Sequence, residues 1–183
     1  KQAQRGRFPM AAAENTQQFH TWFDGSKVVN KDGSPLVVYH SKRVDFDEYD
    51  VELTDLGIHF GTKQAALEIL TGSHKTIEDI STDVFATDSG THTDPSYLVL
   101  HNPLHVPFDA GVWADPKLWI ARLPIPISKW SHDTGINKRD FKADWKAEDI
   151  RIYLTSKGYD GIEYRNSVED KGSTSYIAFD SAQ

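Results

Sequence analysis

The spacing of apolar residues along the chain predicts a mixture of short helices and short strands. Phe19, Trp22 and Phe23 recur at i, i+3 and i+4, so they lie on one face of a predicted helix. Periodicity and capping residues predict four helices, over residues 16–23, 62–70, 118–123 and 148–157. Short apolar, β-branched runs bounded by turn residues predict five strands, over residues 36–40, 57–61, 97–100, 162–165 and 176–179.

These elements do not alternate strictly as strand and helix. Residues 77–94 and 124–144 show weak periodicity and are predicted to be irregular, the second stretch being aromatic enough to pack against the core. The pattern favours an α+β fold over a doubly wound sheet. The length of 183 residues suits one domain with a core of its own. We expect a flexible leader over residues 1–15 and a single domain over residues 16–183.

The composition narrows the class of protein. At 38% hydrophobic and 26% charged residues, it is typical of a soluble globular protein. No apolar run reaches the roughly 18 residues of a membrane span, and no signal peptide is evident. We therefore expect a cytoplasmic protein, or one delivered into a host cytoplasm. The net charge of −7 argues against a binder of duplex nucleic acid. Because cysteine is absent, disulfides, thiolate nucleophiles and cysteine-based zinc sites are excluded.

Generic active-site motifs are missing: there is no phosphate loop, no GxGxxG, no HExxH and no GxSxG. His101 and His105 are four residues apart, but Pro103 would break a helix that aligned them, so we expect no metal site. His40 differs because it ends an apolar strand and is followed by a small residue. A lone histidine in such a place is more often structural, so its interpretation depends on other segments.

Two other segments of the sequence bear on the role of His40. Tyr39-His40-Ser41, residues 57–62 and residues 175–183 resemble, in order and spacing, the three signature strands of poly(ADP-ribose)-polymerase-like ADP-ribosyltransferases. The likeness is closer to the bacterial and phage ADP-ribosyltransferase domains of polyvalent proteins, and it extends from about residue 19 to residue 183. It also includes residues 22–23, 26–29, 33–38, 102–103, 158–162, 166, 169 and 172. No single motif is specific, but the ordered set is.

The resemblance implies an ADP-ribosyltransferase-type fold, with a split mixed or antiparallel sheet and short flanking helices. It also implies NAD as co-substrate. Such an enzyme breaks the nicotinamide–ribose bond through an oxocarbenium-like transition state and passes ADP-ribose to an acceptor. In the family, the first-strand histidine bonds the adenosine ribose and the next residue's backbone clamps the carboxamide. These roles fall on His40 and Ser41. The implied NAD-binding residues are Tyr39, His40, Ser41, His59 and Asn166.

The chain departs from the family pattern at three positions. Ser41 replaces a glycine, although a backbone clamp requires only N–H and C=O groups. His59 replaces a tyrosine that stacks on nicotinamide, and its flat ring can also stack. Ser175 stands where the polymerases have their catalytic glutamate and brings no charge, so Glu169, which matches a glutamate of the polyvalent-type domains, is the preferred carboxylate. The catalytic candidates are Glu169, Ser175 and His40, with Asn166 and Gln183 as supporting groups.

Loss of the polymerase-type glutamate favours transfer of a single ADP-ribose, by analogy with family members that lack it. The acidic charge mildly favours a protein acceptor over a polyanion, as for a phage or bacterial toxin or effector. The alternatives are an NAD glycohydrolase, a transferase acting on nucleic acid or a small molecule, and an inactive module that keeps the NAD cleft. Target recognition is expected around Trp113, Trp119 and Trp130, with at least one of these side chains in the core.

Overall fold

The computed structural model describes residues 14–42, 51, 54, 56–71, 92–125, 132–133 and 145–183. Most of the predicted leader, most of the two predicted irregular stretches and Trp130 lie outside these ranges. Within them the chain forms three α-helices, α1 (Gln17–Phe23), α2 (Lys63–Thr71) and α3 (Ala147–Ser156). Its strands are β1 (Val38–Lys42), β2 (Ile58–Phe60), β3 (His92–Ser96), β4 (Pro103–Val106), β5 (Gly161–Arg165) and β6 (Thr174–Ala178). No helix in this part of the chain has the length and hydrophobicity of a membrane-spanning segment.

The strands form two small sheets that meet at one point. The larger sheet has the order β2-β6-β5-β4, in which β4 and β5 are parallel and the other pairs are antiparallel. The smaller sheet pairs β1 with β3 in antiparallel register. Tyr39 and Gly61 join the two sheets by exchanging backbone hydrogen bonds of 2.8 and 3.0 Å. The α+β prediction and the split mixed sheet implied by the resemblance are therefore confirmed.

The helices begin and end where the sequence places their capping residues. Thr16 accepts a hydrogen bond from the Phe19 amide at the start of α1, and Thr62 accepts one from the Ala65 amide at the start of α2, both at 3.1 Å. Gly158 adopts a positive φ of 86° just after α3, a conformation that favours glycine. Three of the four predicted helices are thus confirmed to within about one residue.

The fourth predicted helix, over residues 118–123, is wrong in type. The chain there forms two 3₁₀ turns, Pro116–Leu118 and Ile120–Arg122. Asp115 caps the first turn by accepting from the Lys117 amide at 3.1 Å. Trp119, which is fully buried, then leaves helical geometry with φ −133° and separates the two turns. Anchoring of this indole in the core therefore overrides local helix propensity.

The larger sheet is covered on both faces by apolar side chains. Ile177 of β6 packs into a core that contains Trp113, Trp119 and the apolar face of α3. Its neighbours Tyr176 and Ala178 point to the opposite face and pack with Val28, Leu98 and other residues of a second core. Because successive side chains of a strand alternate between faces, a strand buried on both sides has a continuous apolar sequence, which is why β6 was predictable.

One strand prediction is wrong and two observed strands were not predicted, because of long-range bonds and prolines. Residues 97–100 are extended but form no strand; their backbone bonds instead to Ser26, Lys27 and Gln183. The observed strand, β3, lies just before residues 97–100, and its sequence is polar and contains Pro95. β4 was not predicted because it begins with Pro103. Both strands are at sheet edges, where a missing N–H is tolerated, so neither has the apolar pattern of a central strand.

Replacement of Ser26 by alanine is expected to destabilise the domain. The buried Ser26 hydroxyl donates to the Leu98 carbonyl at 3.0 Å and accepts from the Val28 amide at 3.2 Å. Ser26→Ala leaves these groups unsatisfied, so we expect the free energy of unfolding to fall by about 1–3 kcal/mol in a urea titration. The exposed control Ser181→Ala should change it by less than about 0.5 kcal/mol. Equal effects of the two substitutions would contradict this role.

Candidate active site

The two sheets separate immediately beside the Tyr39–Gly61 pair. In a continued antiparallel ladder, Ser41 and His59 would be the next residues to exchange backbone hydrogen bonds. Among the described residues, however, the bridge between the sheets is confined to Tyr39 and Gly61. The His59 carbonyl instead accepts a hydrogen bond of 2.7 Å from Nδ1 of His40. A side chain thus takes the place of a backbone partner, and β1 and β2 diverge to open a cleft.

This cleft has a volume of about 410 Å³, which is within the range of small-molecule binding sites. Its walls come from β1, β2, α2, the loop after β4, the β5–β6 region and the loop between them. The lining residues are Tyr39, His40, Ser41, His59, Phe60, Gly61, Ala65, Ala66, Ile69, Asp109, Gly111, Val112, Trp113, Ala114, Tyr164, Asn166, Glu169 and Ser175. All seven residues predicted to bind NAD or to act in catalysis are among them.

Gln183, the remaining supporting candidate, is not in the cleft lining. Its Oε1 accepts from the backbone amides of Phe179 and Asp180 at 2.9 and 2.7 Å. Its Nε2 donates to the Asp160 carbonyl at 2.7 Å. These bonds fix the segment that follows β6, so the contacts of Gln183 are structural.

The hydrogen bond of His40 determines which ring nitrogen is protonated. A carbonyl oxygen can only accept, so Nδ1 must carry the hydrogen that reaches the His59 carbonyl. In the neutral imidazole, Nε2 is then an acceptor. The ring also packs at a tilt against Phe60, with 5.6 Å between the ring centroids. His40 is therefore held in one orientation and one tautomer, suited to accept a hydrogen bond from a hydroxyl group.

Ser41 contributes to the cleft through its backbone. Its hydroxyl donates to the Ala66 carbonyl at 2.6 Å and ties β1 to α2. Backbone polar groups alternate in direction along a strand, so those of Ser41 point the same way as those of Tyr39, which bond to Gly61. They are thus directed towards the cleft and away from β3. The serine that replaces the family's glycine keeps a backbone donor and acceptor on the required side.

His59 places a neutral aromatic ring in the cleft. Burial, followed by the influence of nearby His40, lowers the pKa of this histidine to about 4, although Asp109 acts in the opposite direction. The ring lies edge-on to the indole of Trp113, with 6.5 Å between centroids. Phe60, the next residue, points to the opposite face of the strand and is buried.

Asn166 connects the two catalytic candidates of the C-terminal half. It is almost fully buried, and its Nδ2 donates to the Ser175 hydroxyl at 3.1 Å. Its Oδ1 accepts from the backbone amides of Val168 and Glu169, both at 3.0 Å. One side chain thereby fixes the start of the β5–β6 loop and joins it to β6.

Glu169 brings a half-buried carboxyl group to the cleft. Burial raises its pKa above the ordinary value, and the negative charges of Asp109 and Glu68 act in the same direction, while the hydrogen bonds from its own amide and from Asn166 oppose them. A carboxyl with increased proton affinity in a cleft suits proton transfer or stabilisation of a developing positive charge. Ser175, by contrast, is only 1% exposed and is bonded to Asn166.

Two polar residues of the cleft were missed by the sequence analysis. The Asp109 carboxylate accepts from the backbone amides of Gly111 and Ser167, and Tyr164 packs against Trp113 with 4.9 Å between ring centroids. Burial raises the pKa of Tyr164, and Asp109 adds to this effect. The Asp-x-Gly sequence that begins at Asp109 indicates a turn, and nothing else in the local sequence indicated that Asp109 belongs to a site. Tyr164 was predicted only as a strand residue.

Two of the three tryptophans named above lie within the described residues. Trp113 and Trp119 are both buried, as expected for at least one of the three, and Trp113 also lines the cleft.

In the described ranges no three metal-ligating side chains are grouped to hold an ion. His101 and His105 are exposed and each lies near a single carboxylate, at 3.9 and 3.4 Å.

A sheet split by a cleft, with a histidine strand on one side and a carboxyl-bearing loop on the other, has the architecture expected of an ADP-ribosyltransferase domain. The family model described as "ADP-Ribosyltransferase in polyvalent proteins" matches residues 30–183. The chain belongs to this family, and the resemblance found in the sequence is confirmed. Comparison with curated proteins and with solved structures gave no match.

The imidazole of His59 is expected to remain uncharged until the pH falls to about 4. Since its pKa is lower in the folded protein than its ordinary 6.5, the unfolded chain takes up the proton more readily. Its contribution to stability is then complete above pH 6.5 and is lost as the pH falls towards 4. An NMR titration of the imidazole C–H signals, assigned with His59→Gln, measures the midpoint. A midpoint near 6.5 would show that the ring is not held in a desolvated site.

Proposed function

We propose that this ADP-ribosyltransferase domain uses NAD as its co-substrate and transfers a single ADP-ribose to a protein acceptor. The observation that carries the proposal is the convergence of Tyr39, His40, Ser41, His59, Asn166, Glu169 and Ser175 on one cleft. These residues come from four separate stretches of sequence, and nothing in their local patterns requires them to meet. The family assignment supports the reaction class.

The N-terminal half of the cleft would bind the dinucleotide. Nε2 of His40 accepts a hydrogen bond from an adenosine ribose hydroxyl, and the backbone N–H and C=O of Ser41 clamp the nicotinamide carboxamide. Tyr39 holds this strand in place through its two bonds to Gly61. His59 stacks on the nicotinamide. Because the nicotinamide of NAD is a pyridinium cation, stacking requires an uncharged partner, and the lowered pKa of His59 supplies one at neutral pH.

The C-terminal half would carry out the transfer. The bond between the anomeric carbon and the nicotinamide nitrogen breaks, nicotinamide leaves with the electron pair, and a nucleophilic atom of the acceptor bonds to the same carbon. The Glu169 carboxylate stabilises the positive charge that develops on the ribose and takes the proton that the acceptor loses. Ser175 and Asn166 support this group through the bonds that connect β6 to the Glu169 backbone.

Two observations support single transfer to a protein. Ser175 occupies the position of the polymerases' catalytic glutamate and supplies no charge for chain elongation. The net charge of −7, together with Asp109 and Glu169 in the cleft lining, disfavours a polyanionic acceptor such as nucleic acid. A protein acceptor has no such electrostatic penalty.

Glu169→Gln is expected to lower the rate of nicotinamide release about 100-fold or more, because the amide keeps the shape of the side chain but removes its charge. The measurement uses NAD labelled in the ADP-ribose portion, incubated with the domain and a cell extract, and follows nicotinamide release and label transfer together. Glu148→Gln, on the exposed surface of α3, is the matched control and should retain wild-type activity.

Ser175→Ala in the same assay decides between the two candidates at the C-terminal side of the cleft. We expect a decrease of about tenfold or less, since the substitution removes one hydrogen bond from Asn166 and no charge. If Ser175→Ala were the more damaging of the two substitutions, the assignment of Glu169 as the catalytic carboxylate would be wrong.

His40→Ala is expected to weaken NAD binding about tenfold, the effect of losing a ligand hydrogen bond and an ordered strand contact. Calorimetry with NAD measures the dissociation constant, and His105→Ala, which removes an exposed imidazole from β4, is the control. Unchanged NAD affinity in His40→Ala would remove the basis for placing the adenosine ribose at β1.

The same labelled-NAD assay separates the alternative functions. Nicotinamide release without label transfer would identify an NAD glycohydrolase and contradict the transferase proposal. Label recovered on nucleic acid or on small molecules would keep the chemistry and contradict the protein acceptor. If NAD is neither bound nor turned over, the domain is an inactive module and the enzymatic proposal is wrong.

A further inference from the structure

Asp109 joins two walls of the cleft that belong to different parts of the sequence. It lies in the loop that follows β4, and its Oδ1 accepts from the Gly111 amide of the same loop at 2.9 Å. Its Oδ2 accepts from the Ser167 amide at 3.0 Å, in the loop between β5 and β6. The side chain is half-buried and lines the cleft. Both carboxylate oxygens are thus used to hold backbone.

We propose that Asp109 is a positioning residue, whose carboxylate ties the loop that carries Glu169 to the neighbouring loop that follows β4. This inference rests on the proposed function, in which Glu169 is the catalytic carboxylate. Ser167 precedes Glu169 by only two residues, so a bond at its amide restricts where the Glu169 side chain begins. The bond to Asp109 adds to the local restraint from Asn166, whose Oδ1 accepts from the amides of Val168 and Glu169.

A second anchor lies on the other side of Glu169. The Asp170 amide donates to Oε2 of Glu68 in α2 at 2.8 Å, and the Asp170 carboxylate accepts from the Thr62 hydroxyl. Asp170 has a positive φ of 41°, which its surroundings must maintain because non-glycine residues rarely adopt it. Glu169 is therefore held between a bond to Asp109 on one side and a bond to Glu68 on the other. Loss of either anchor leaves the loop held by the other anchor and by the Asn166 side chain.

The charge of Asp109 supports the same role. It contributes, after burial, to the raised pKa of Glu169, and it counteracts part of the lowering of the His59 pKa. Removal of this charge should therefore change the titration of Glu169 in a way that a purely structural contact would not. This gives the proposal a readout that does not depend on turnover.

Asp109→Asn tests the proposal. Asparagine can still accept from the Gly111 amide, because an aspartate or asparagine side chain forms this local turn equally well. Its NH₂ group would then face the Ser167 amide, and two donors cannot bond, so the link between the loops is lost while the turn survives. Asp115→Asn is the matched control, since it removes a carboxylate that caps a turn in the same segment but does not line the cleft.

Three results are expected for Asp109→Asn. The Ser167 amide exchanges its hydrogen at least about tenfold faster than in the wild type, because it loses its hydrogen-bond partner. The Glu169 carboxyl titrates at a lower pH in ¹³C NMR, assigned with Glu169→Gln. The kcat for ADP-ribosyl transfer falls about tenfold or more while the dissociation constant for NAD changes less than about threefold, the pattern for a misplaced catalytic group. Asp115→Asn should match the wild type in all three measurements.

Asp109→Glu gives a second, independent variant. It retains the charge but shifts it by one methylene group, so the Glu169 titration should stay close to the wild type while kcat takes an intermediate value. Unchanged Ser167 exchange together with unchanged kcat in both variants would overturn the proposal. If the wild-type domain does not turn over NAD, the proposed function fails, whereas amide exchange and the Glu169 titration still determine whether Asp109 holds the loop.

Discussion

Tyr39 and Gly61 exchange two backbone hydrogen bonds, and the position of every cleft residue depends on the fact that this pairing stops there. A longer ladder would merge the two sheets and fill the cleft with paired backbone. The approach at Gly61 is also close, because a Cβ atom there would lie 3.0 Å from Oγ of Ser175 and 3.2 Å from Cβ of Ala65, so these neighbours would have to shift by a few tenths of an ångström. The pair therefore brings β1, α2 and β6 together at one point and allows β1 and β2 to separate beyond it.

Burial within this split explains the charge states of the residues that face it. A partly desolvated site disfavours charge, so it lowers the pKa of His59 and raises that of Glu169. Both shifts have burial as their largest cause, and Asp109 modifies each of them in turn. A neutral ring and a carboxyl group of increased proton affinity thus arise from one property of the cleft. In the proposed reaction, the same property would strengthen the electrostatic effect of Glu169 on a developing cation.

Much of the fold was predictable because it is encoded locally. Thr16, Thr62 and Gly158 mark helix ends through contacts within a few residues. Residues 176–179 form a continuous apolar run, and in β5 the buried Ile162 and Tyr164 alternate with the more exposed Glu163 and Arg165. The failures involve distant partners. Residues 97–100 look like a strand, yet their backbone bonds to residues more than seventy positions away, and β3 and β4 are edge strands that contain proline.

The candidate site shows the same division between local and long-range information. His40, His59 and Ser175 could be selected because each belongs to a short segment with a family resemblance. Asp109 could not, since its importance comes from a bond to Ser167, 58 residues away. The pairing of Asn166 with Ser175 was equally invisible in the sequence, although both residues had been selected. Spacing along the chain reveals which residues share an element, but not which side chain will bridge two elements.

The surroundings of Ser175 show how the β5–β6 loop is joined to β6. Ser175 is 1% exposed, its hydroxyl is bonded to Asn166, and a Cβ atom at Gly61 would already be 3.0 Å from it. Asn166 donates to this hydroxyl through its amide nitrogen and holds the Glu169 backbone through its amide oxygen. The buried serine and the loop that carries the Glu169 carboxyl group are therefore parts of one hydrogen-bonded arrangement.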